Sequence, residues 1–191
     1  MGHTIHAFKR NVNMTYVVMD NHVYGLTKGQ ASPRSDIGFV TKTTPRGAFE
    51  SPLSVCETAI AAGATFVAQG YMINRAQLVE LIQKAMDHEG FSFINVFSPC
   101  VTYNKHNSYD WFKEHLVELP EGYDPTDRAA ALKTLGETDG LVTGVIYQDT
   151  TKPSFEKAMA AANGGPHPRP LTEDVVKPDQ ALFDSLCNQF K

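Results

Sequence analysis

The stretch 20–33 of this sequence, DNHVYGLTKGQASP, crowds hydrogen-bonding side chains together with two glycines and a proline, directly after the apolar run MTYVVM. Asp20 and Asn21 offer side-chain oxygens at the end of what reads as a buried strand, the place where parallel α/β sheets bind ligands. Asn21 supplies a neutral hard oxygen suited to Mg²⁺, and the Val23 carbonyl, two residues on, could point the same way. Mg²⁺ commonly bridges protein oxygens to substrate phosphates. An Asx turn that merely ends the strand accounts for the same two residues. Gly25 and Gly29 permit close backbone approach, while Thr27, Lys28 and Gln30 carry donors for an anion. A lysine near a glycine is also common in ordinary surface loops.

Cys100 follows a second apolar run, in FSPCVTYN, and lies at the same sheet edge as Asn21 if the two strands are parallel. Read alone it is a packed thiol, since one thiolate cannot hold an iron–sulfur cluster that takes about four. Cys56, Cys100 and Cys187 are odd in number and contain no CxxC. That excludes a disulfide framework and a self-contained zinc site, and leaves each as a buried small hydrophobe. His3 and His6 would share a helix face as a metal pair, but no carboxylate completes it.

The elements that must position these residues alternate. HTIHAFKRN reads as the last turns of a helix, 14–20 as a buried strand, 53–64 as a helix ending near Gly63, and 65–69 as a strand. The run 75–90 puts Leu78, Leu81, Ile82 and Ala85 on one face and stops at Gly90, and 91–97 is a third strand. This order predicts a parallel sheet covered by helices. Beyond Cys100, SYDWFKEHLVEL and PTDRAAALKTL read as helices and 141–148 as a strand. The Gly- and Pro-rich segment 163–174 reads as extended or mobile, and DQALFDSLCNQF as a short docking helix. The domain expectation is a main domain over 1–150 and a C-terminal tail over 151–191.

Bulk properties narrow the partners. With 191 residues, 42% hydrophobic and 20% charged, the chain is ordinary for a globular protein with one sizeable core. A net charge of -4 gives no general pull toward nucleic acid or anionic membrane. No apolar run reaches the length of a membrane span and MGHTIHAFKRNVN lacks the apolar core of a signal peptide, so a cytoplasmic location is expected.

NMTYVVMDNHVYGLTKGQASP, with TKTTPRG, AIAAGATFVAQG and INVFSPCVTYN, closely resembles the β subunit of 2-oxoacid:ferredoxin oxidoreductases, thiamine-diphosphate enzymes that decarboxylate pyruvate, 2-oxoglutarate or similar acids. The likeness covers roughly 2–150 and is strongest over 11–47. It implies an α/β thiamine-diphosphate-binding fold, mainly a parallel sheet flanked by helices, truncated at its N-terminal side. It also implies that Asn21 binds Mg²⁺ through its side chain and Val23 through its carbonyl, with Tyr24, Gly25 and Thr27 in the cofactor-binding stretch. Leu26 matches a position lining the reaction pocket, and Lys28 one that approaches the 2-oxoacid carboxylate, where a desolvated anion needs a cation. Cys100 matches a ligand of a four-iron, four-sulfur cluster. The implied partners are an α subunit, ferredoxin, the 2-oxoacid and coenzyme A.

Two family features are not in this sequence. The GDG motif, whose Asp is a principal Mg²⁺ ligand, and the other three cluster cysteines lie earlier in the family's chains. A split subunit and a truncated piece both account for this. The readings that follow are part of the catalytic β subunit, a fragment acting only with partner chains, or a nonredox thiamine-diphosphate decarboxylase. Cys100 argues against the last, which has no use for that thiol.

Overall fold

Three apolar runs rich in β-branched and aromatic residues assemble as neighbouring parallel strands in a computed structural model that describes residues 2–166 and 179–189. β1 (Met14–Asp20) pairs with β3 (Phe91–Phe97), and β3 with β2 (Phe66–Tyr71). The sheet order is β1-β3-β2-β5-β4, with β4 at Val117–Glu118 and β5 at Val142–Gln148. Helices α1 (Gly2–Arg10), α2 (Val55–Ala62) and α5 (Arg128–Glu137) pack their apolar side chains onto one face, around Phe8, Ile60, Phe91 and Leu135. Helix α3 (Arg75–Asp87) covers the other face through Leu81 and Ala85, against Phe66 and Ile94. Every residue of β2 and β3 is buried, as expected of parallel strands covered on both faces. Helices α4 (Tyr109–His115), α6 (Phe155–Ala162) and α7 (Gln180–Asn188) complete the described elements.

Three expectations need correction. The run 14–20 forms its strand, but not a buried one: β1 is the sheet's edge and only Asp20 in it is fully buried. Second, SYDWFKEHLVEL is helical only to His115, and Val117–Glu118 pairs beside β5. Third, Cys187 is exposed on α7 rather than buried, because that helix turns its sides to solvent. The strand read over 141–148 joins the sheet antiparallel to β2, so the sheet is mainly parallel, as the resemblance implies.

One compact unit extends to Ala158 and a second begins at Met159. The second contains the end of α6 and α7, so the stretch read as a short helix is one. Most of the segment 163–174 lies outside the described residues. No helix among the described residues is long and apolar enough to cross a membrane.

The strand starts are tied together by Asn11, which is completely buried at φ 54°. Its side-chain oxygen accepts from the Phe91 amide at 2.8 Å and the Thr65 hydroxyl at 2.7 Å. Its amide nitrogen donates to the Pro153 carbonyl at 3.0 Å. Asparagine tolerates this left-handed backbone better than most residues. Gly90, at φ +125°, leaves the space this amide needs, since a Cβ there would stand 2.6 Å from the Asn11 oxygen. Asn11→Ala leaves buried donors without acceptors, and is expected to destabilise the fold by about 2–4 kcal/mol in urea unfolding. A change below about 0.5 kcal/mol contradicts this role.

Candidate functional site

The carboxyl ends of β1 and β3 meet at Asp20, whose carbonyl accepts from the Ser98 amide at 2.8 Å. Its buried carboxylate accepts from Arg34 Nε at 2.7 Å, while Arg34 Nη1 donates to the Leu53 carbonyl at 2.6 Å. His22, at φ 57° and buried, lies between two acids: Nε2 is 3.5 Å from Asp20 and Nδ1 3.5 Å from Asp36. Asp36 accepts from Asn107 Nδ2 at 2.8 Å, Asn107 accepts from Asn104 at 2.8 Å, and Asn104 donates to the Asn21 carbonyl at 3.4 Å. These bonds join the loop after β1 to the loop after β3.

The same carboxylate continues a polar line through the sheet. Asn95 on β3 donates to Asp20 at 3.4 Å and to Gln69 on β2 at 2.9 Å. Gln69 donates onward to the carbonyls of Gly140 at 2.6 Å and Val142 at 2.8 Å, and accepts from the Cys56 thiol at 3.2 Å. A cavity of about 460 Å³ beside this line is bordered by His22, Arg34, Cys56, Gln69 and Trp111. Burial pushes the Cys56 thiol up to about 12, so it is an inert packing group.

Burial by itself raises the Asp20 pKa, but the His22 hydrogen bond and the Arg34 charge outweigh it and hold the carboxyl at about 2. Burial lowers the His22 pKa, and its bonds to Asp20 and Asp36 reverse this and raise it overall. Arg34 Nη2 sits 3.3 Å from His22 Nε2. Arginine only donates, so that contact belongs to the neutral ring, and protonation of His22 turns it into a repulsion.

The residues expected to bind cofactor and substrate are gathered in one turn. Asn21 is half-buried, and its side-chain oxygen accepts from the Val23 amide at 3.1 Å, so the Asx turn is real. Tyr24 and Gln30 form an isolated bridge that pinches the turn, and Thr27 hydrogen-bonds Gln30 at its tip. Leu26 is 99% exposed, and the Lys28 side chain is also exposed. Gly25 faces Cys100: a Cβ at Gly25 would stand 3.6 Å from its sulfur. Gly29, at φ +98°, backs onto the Tyr103 ring, where a Cβ would approach to 2.9 Å. His3 and His6 are both exposed on α1 and gather no third ligand among the described residues.

The donor set tests the groups the family implies. The carbonyls of Asn21 and His22 accept from Asn104 and Ser35, whereas that of Val23 accepts from none of the described residues. The amides of Gly25, Leu26 and Thr27 likewise donate to no described group. Free amides in a glycine-containing turn suit a diphosphate, and two neutral oxygens suit part of a Mg²⁺ shell. No carboxylate among the described residues completes that shell, because Asp20 is held by Arg34 and Asp36 by His22 and Asn107. No group of three or more His, Cys, Asp or Glu among the described residues suits a metal. A four-iron cluster that takes four thiolates does not fit this sequence's three cysteines, one of which, Cys56, is sealed in the core.

Sequence reasoning missed Arg34, His22, Asp36, Asn104 and Asn107 as the frame of the turn. A usable signal was present in FVAQGY and FSFINVF: Gln69 and Asn95 interrupt apolar strands, and buried polar side chains require partners.

The fold is that of a thiamine-diphosphate-binding α/β domain. The sequence model of the family described as thiamine pyrophosphate enzyme, C-terminal TPP binding domain, matches residues 1–96. A second model, which describes the C-terminal region of the pyruvate ferredoxin oxidoreductase beta subunit, matches 100–163. The 2-oxoacid:ferredoxin oxidoreductase subunit beta of Saccharolobus solfataricus is 34% identical over 189 residues, covering 93% of this chain and 62% of that one. The 2-oxoglutarate synthase subunit KorB of Methanocaldococcus jannaschii is 33% identical over 166 residues, covering 83% and 58%. A solved 2-oxoglutarate:ferredoxin oxidoreductase from Magnetococcus marinus, with 2-oxoglutarate, coenzyme A and succinyl-CoA bound, superposes with a TM-score of 0.81 at 36% identity. That match covers 97% of this chain and 62% of the other. The chain belongs to the family of 2-oxoacid:ferredoxin oxidoreductase β subunits. It spans about three fifths of the length of the relatives it matches.

The Asp20–Arg34 pair sets a pH window. A carboxyl with a native pKa below its unfolded value stabilises fully above the unfolded value, here 3.8, and that stability is lost as pH falls through about 2. The loss amounts to about 2 kcal/mol. Arg34→Gln strands the carboxylate and is expected to cost about 3 kcal/mol at pH 7 in urea unfolding, with the difference shrinking toward pH 2. A difference that is independent of pH shows that the pair does not act as a charge pair.

Proposed function

We propose that this chain supplies, within a 2-oxoacid:ferredoxin oxidoreductase β subunit, the turn that grips the diphosphate end of thiamine diphosphate through Mg²⁺. The activity would be oxidative decarboxylation of 2-oxoglutarate or pyruvate to the acyl-coenzyme A, with reduction of ferredoxin. The supporting observation is the turn itself: a Val23 carbonyl and three amides with no bond to any described residue, at the carboxyl end of parallel strands and beside Cys100.

Thiamine diphosphate, when bound, supplies the electron sink that decarboxylation of a 2-oxoacid requires. This chain's residues bind and orient. Asn21 and Val23 would offer neutral oxygens to Mg²⁺, and the amides of Gly25, Leu26 and Thr27 would be available to the diphosphate. Lys28 joins no ion pair among the described residues, so its ammonium is free to hold the substrate carboxylate. Its backbone is fixed at φ 75° by a bond from its amide to the Gly25 carbonyl at 3.1 Å. Leu26 gives the pocket an apolar wall whose opposite side belongs to another chain, consistent with its exposure and with an α-subunit partner. Cys100, behind Gly25, would offer one thiolate to a four-iron cluster.

The lack of a carboxylate in the Mg²⁺ shell favours a companion reading, in which the chain has no independent catalysis and works only in assembly. Calorimetric titration of the isolated chain with thiamine diphosphate and Mg²⁺ is expected to show weak or no binding. In the assembled enzyme, Asn21→Ala is expected to weaken cofactor binding at least about tenfold. Lys28→Ala is expected to raise KM for the 2-oxoacid with little change in cofactor affinity. Micromolar cofactor binding with turnover by the isolated chain would refute the companion reading. Unchanged cofactor affinity in the Asn21 variant would refute the role of the turn.

A further inference from the structure

Both glycines of the turn face the loop that follows β3. Gly25 lies over Cys100 and Gly29 over Tyr103, and the second approach is the closer. A Cβ added at Gly29 would stand 2.9 Å from Tyr103 Cδ1 and 3.2 Å from Tyr103 Cβ and Cγ. Only a residue without a Cβ permits this contact, and φ +98° at Gly29 excludes other side chains a second time.

The loop that carries Tyr103 is itself fastened. The Asn104 amide donates to the Cys100 carbonyl at 3.1 Å, and the buried Asn104 side chain bonds both Asn21 and Asn107. Asn107 is equally buried and donates to Asp36 at 2.8 Å. Tyr103 stands next to this anchor, yet it is 40% exposed and its hydroxyl bonds no described residue. What the side chain contributes is its ring, which meets the turn one residue beyond Lys28.

The turn's internal bonds run from the Gly29 amide to the Tyr24 carbonyl at 2.9 Å and from the Lys28 amide to the Gly25 carbonyl at 3.1 Å. They set how tightly the turn curls, but not how it tilts against the sheet. Leu26 is almost wholly exposed and lends no support from the tip. Lys28 keeps a left-handed backbone at φ 75°, which a residue with a Cβ holds only where its surroundings enforce it.

We propose that Tyr103 is a positioning residue: its ring props the turn beneath Gly29 and so fixes where the Lys28 ammonium stands. The functional half rests on the reading of Lys28 above, as partner of the 2-oxoacid carboxylate. A lysine whose backbone tilts carries its charge with it, and a misplacement of about 1 Å is enough to spoil the orientation of a substrate.

In the assembled enzyme, Tyr103→Ala is expected to raise KM for the 2-oxoacid, 2-oxoglutarate or pyruvate, about fivefold, with kcat and thiamine-diphosphate affinity little changed. Tyr103→Phe keeps the ring and the original KM. Tyr103→Ala adds nothing to the KM of Lys28→Ala, because it acts through that lysine. In the 191-residue protein, Tyr103→Ala is expected to speed amide exchange at Lys28 and Gly29 at least about tenfold, while β2 and β3 keep their protection. Should that variant loosen β2 and β3, Tyr103→Leu, which is apolar but has no ring, replaces it.

Unchanged exchange at Lys28 and Gly29 overturns the proposal. Where Lys28→Ala raises KM, so does an unchanged KM in Tyr103→Ala, an equal rise in Tyr103→Phe, or additive rises in the double variant. Where Lys28→Ala leaves KM unmoved, the functional reading of that lysine fails instead, and the prop stands or falls on amide exchange alone.

Discussion

A carboxylate buried at the end of a strand must be paired, and Asp20 is paired with Arg34 at 2.7 Å. That requirement organises the site end of the molecule. To reach Asp20, the chain beyond the Asn21 turn must fold back and place Arg34 over the strand end, where it also anchors Leu53 ahead of α2. Ser35 and Asp36, carried along, fix His22 from behind. The turn from Tyr24 to Gln30 is thus a loop held at its base and free at its tip. The same pairing removes Asp20 from any metal-binding role, which leaves the turn with neutral oxygens alone.

The sheet is held at two poles by different chemistry. At the site end, a line of side-chain bonds crosses four neighbouring strands, from Asp20 through Asn95 and Gln69 to the Val142 carbonyl. At the other end, a single amide, Asn11, gathers the starts of β2 and β3 and the approach to α6. Between them the core is apolar, with Phe66, Phe91 and Ile94 fully buried. Polar bonds at the poles fix register, because a shift of one residue would break each of them and turn every side chain to the wrong face.

Much of this was legible in the sequence because it depends on local pattern. The strand at 91–97 falls where its apolar run predicts, α2 ends at Gly63 in a left-handed cap, and α3 covers 75–87 on its apolar stripe. The turn residues were legible as a group because their spacing is short. What depends on long-range placement was not. Nothing in MTYVVM distinguishes an edge from an interior strand, and no local pattern in LVTGVIYQ sets the direction in which β5 joins β2. The frame of Arg34, His22 and Asp36 was hidden because charges in a glycine-rich loop read as solvated until the strand that buries them is in place.

The Asn11 clasp has a kinetic side. Its oxygen bridges to positions 54 and 80 residues away, and its nitrogen to a carbonyl 142 residues away. Each contact requires a long loop to close before any bonding energy is returned, and topologies of this kind fold slowly. The local helices have no such delay. In a newly made chain the helices would therefore precede the closing of the sheet at the Asn11 end.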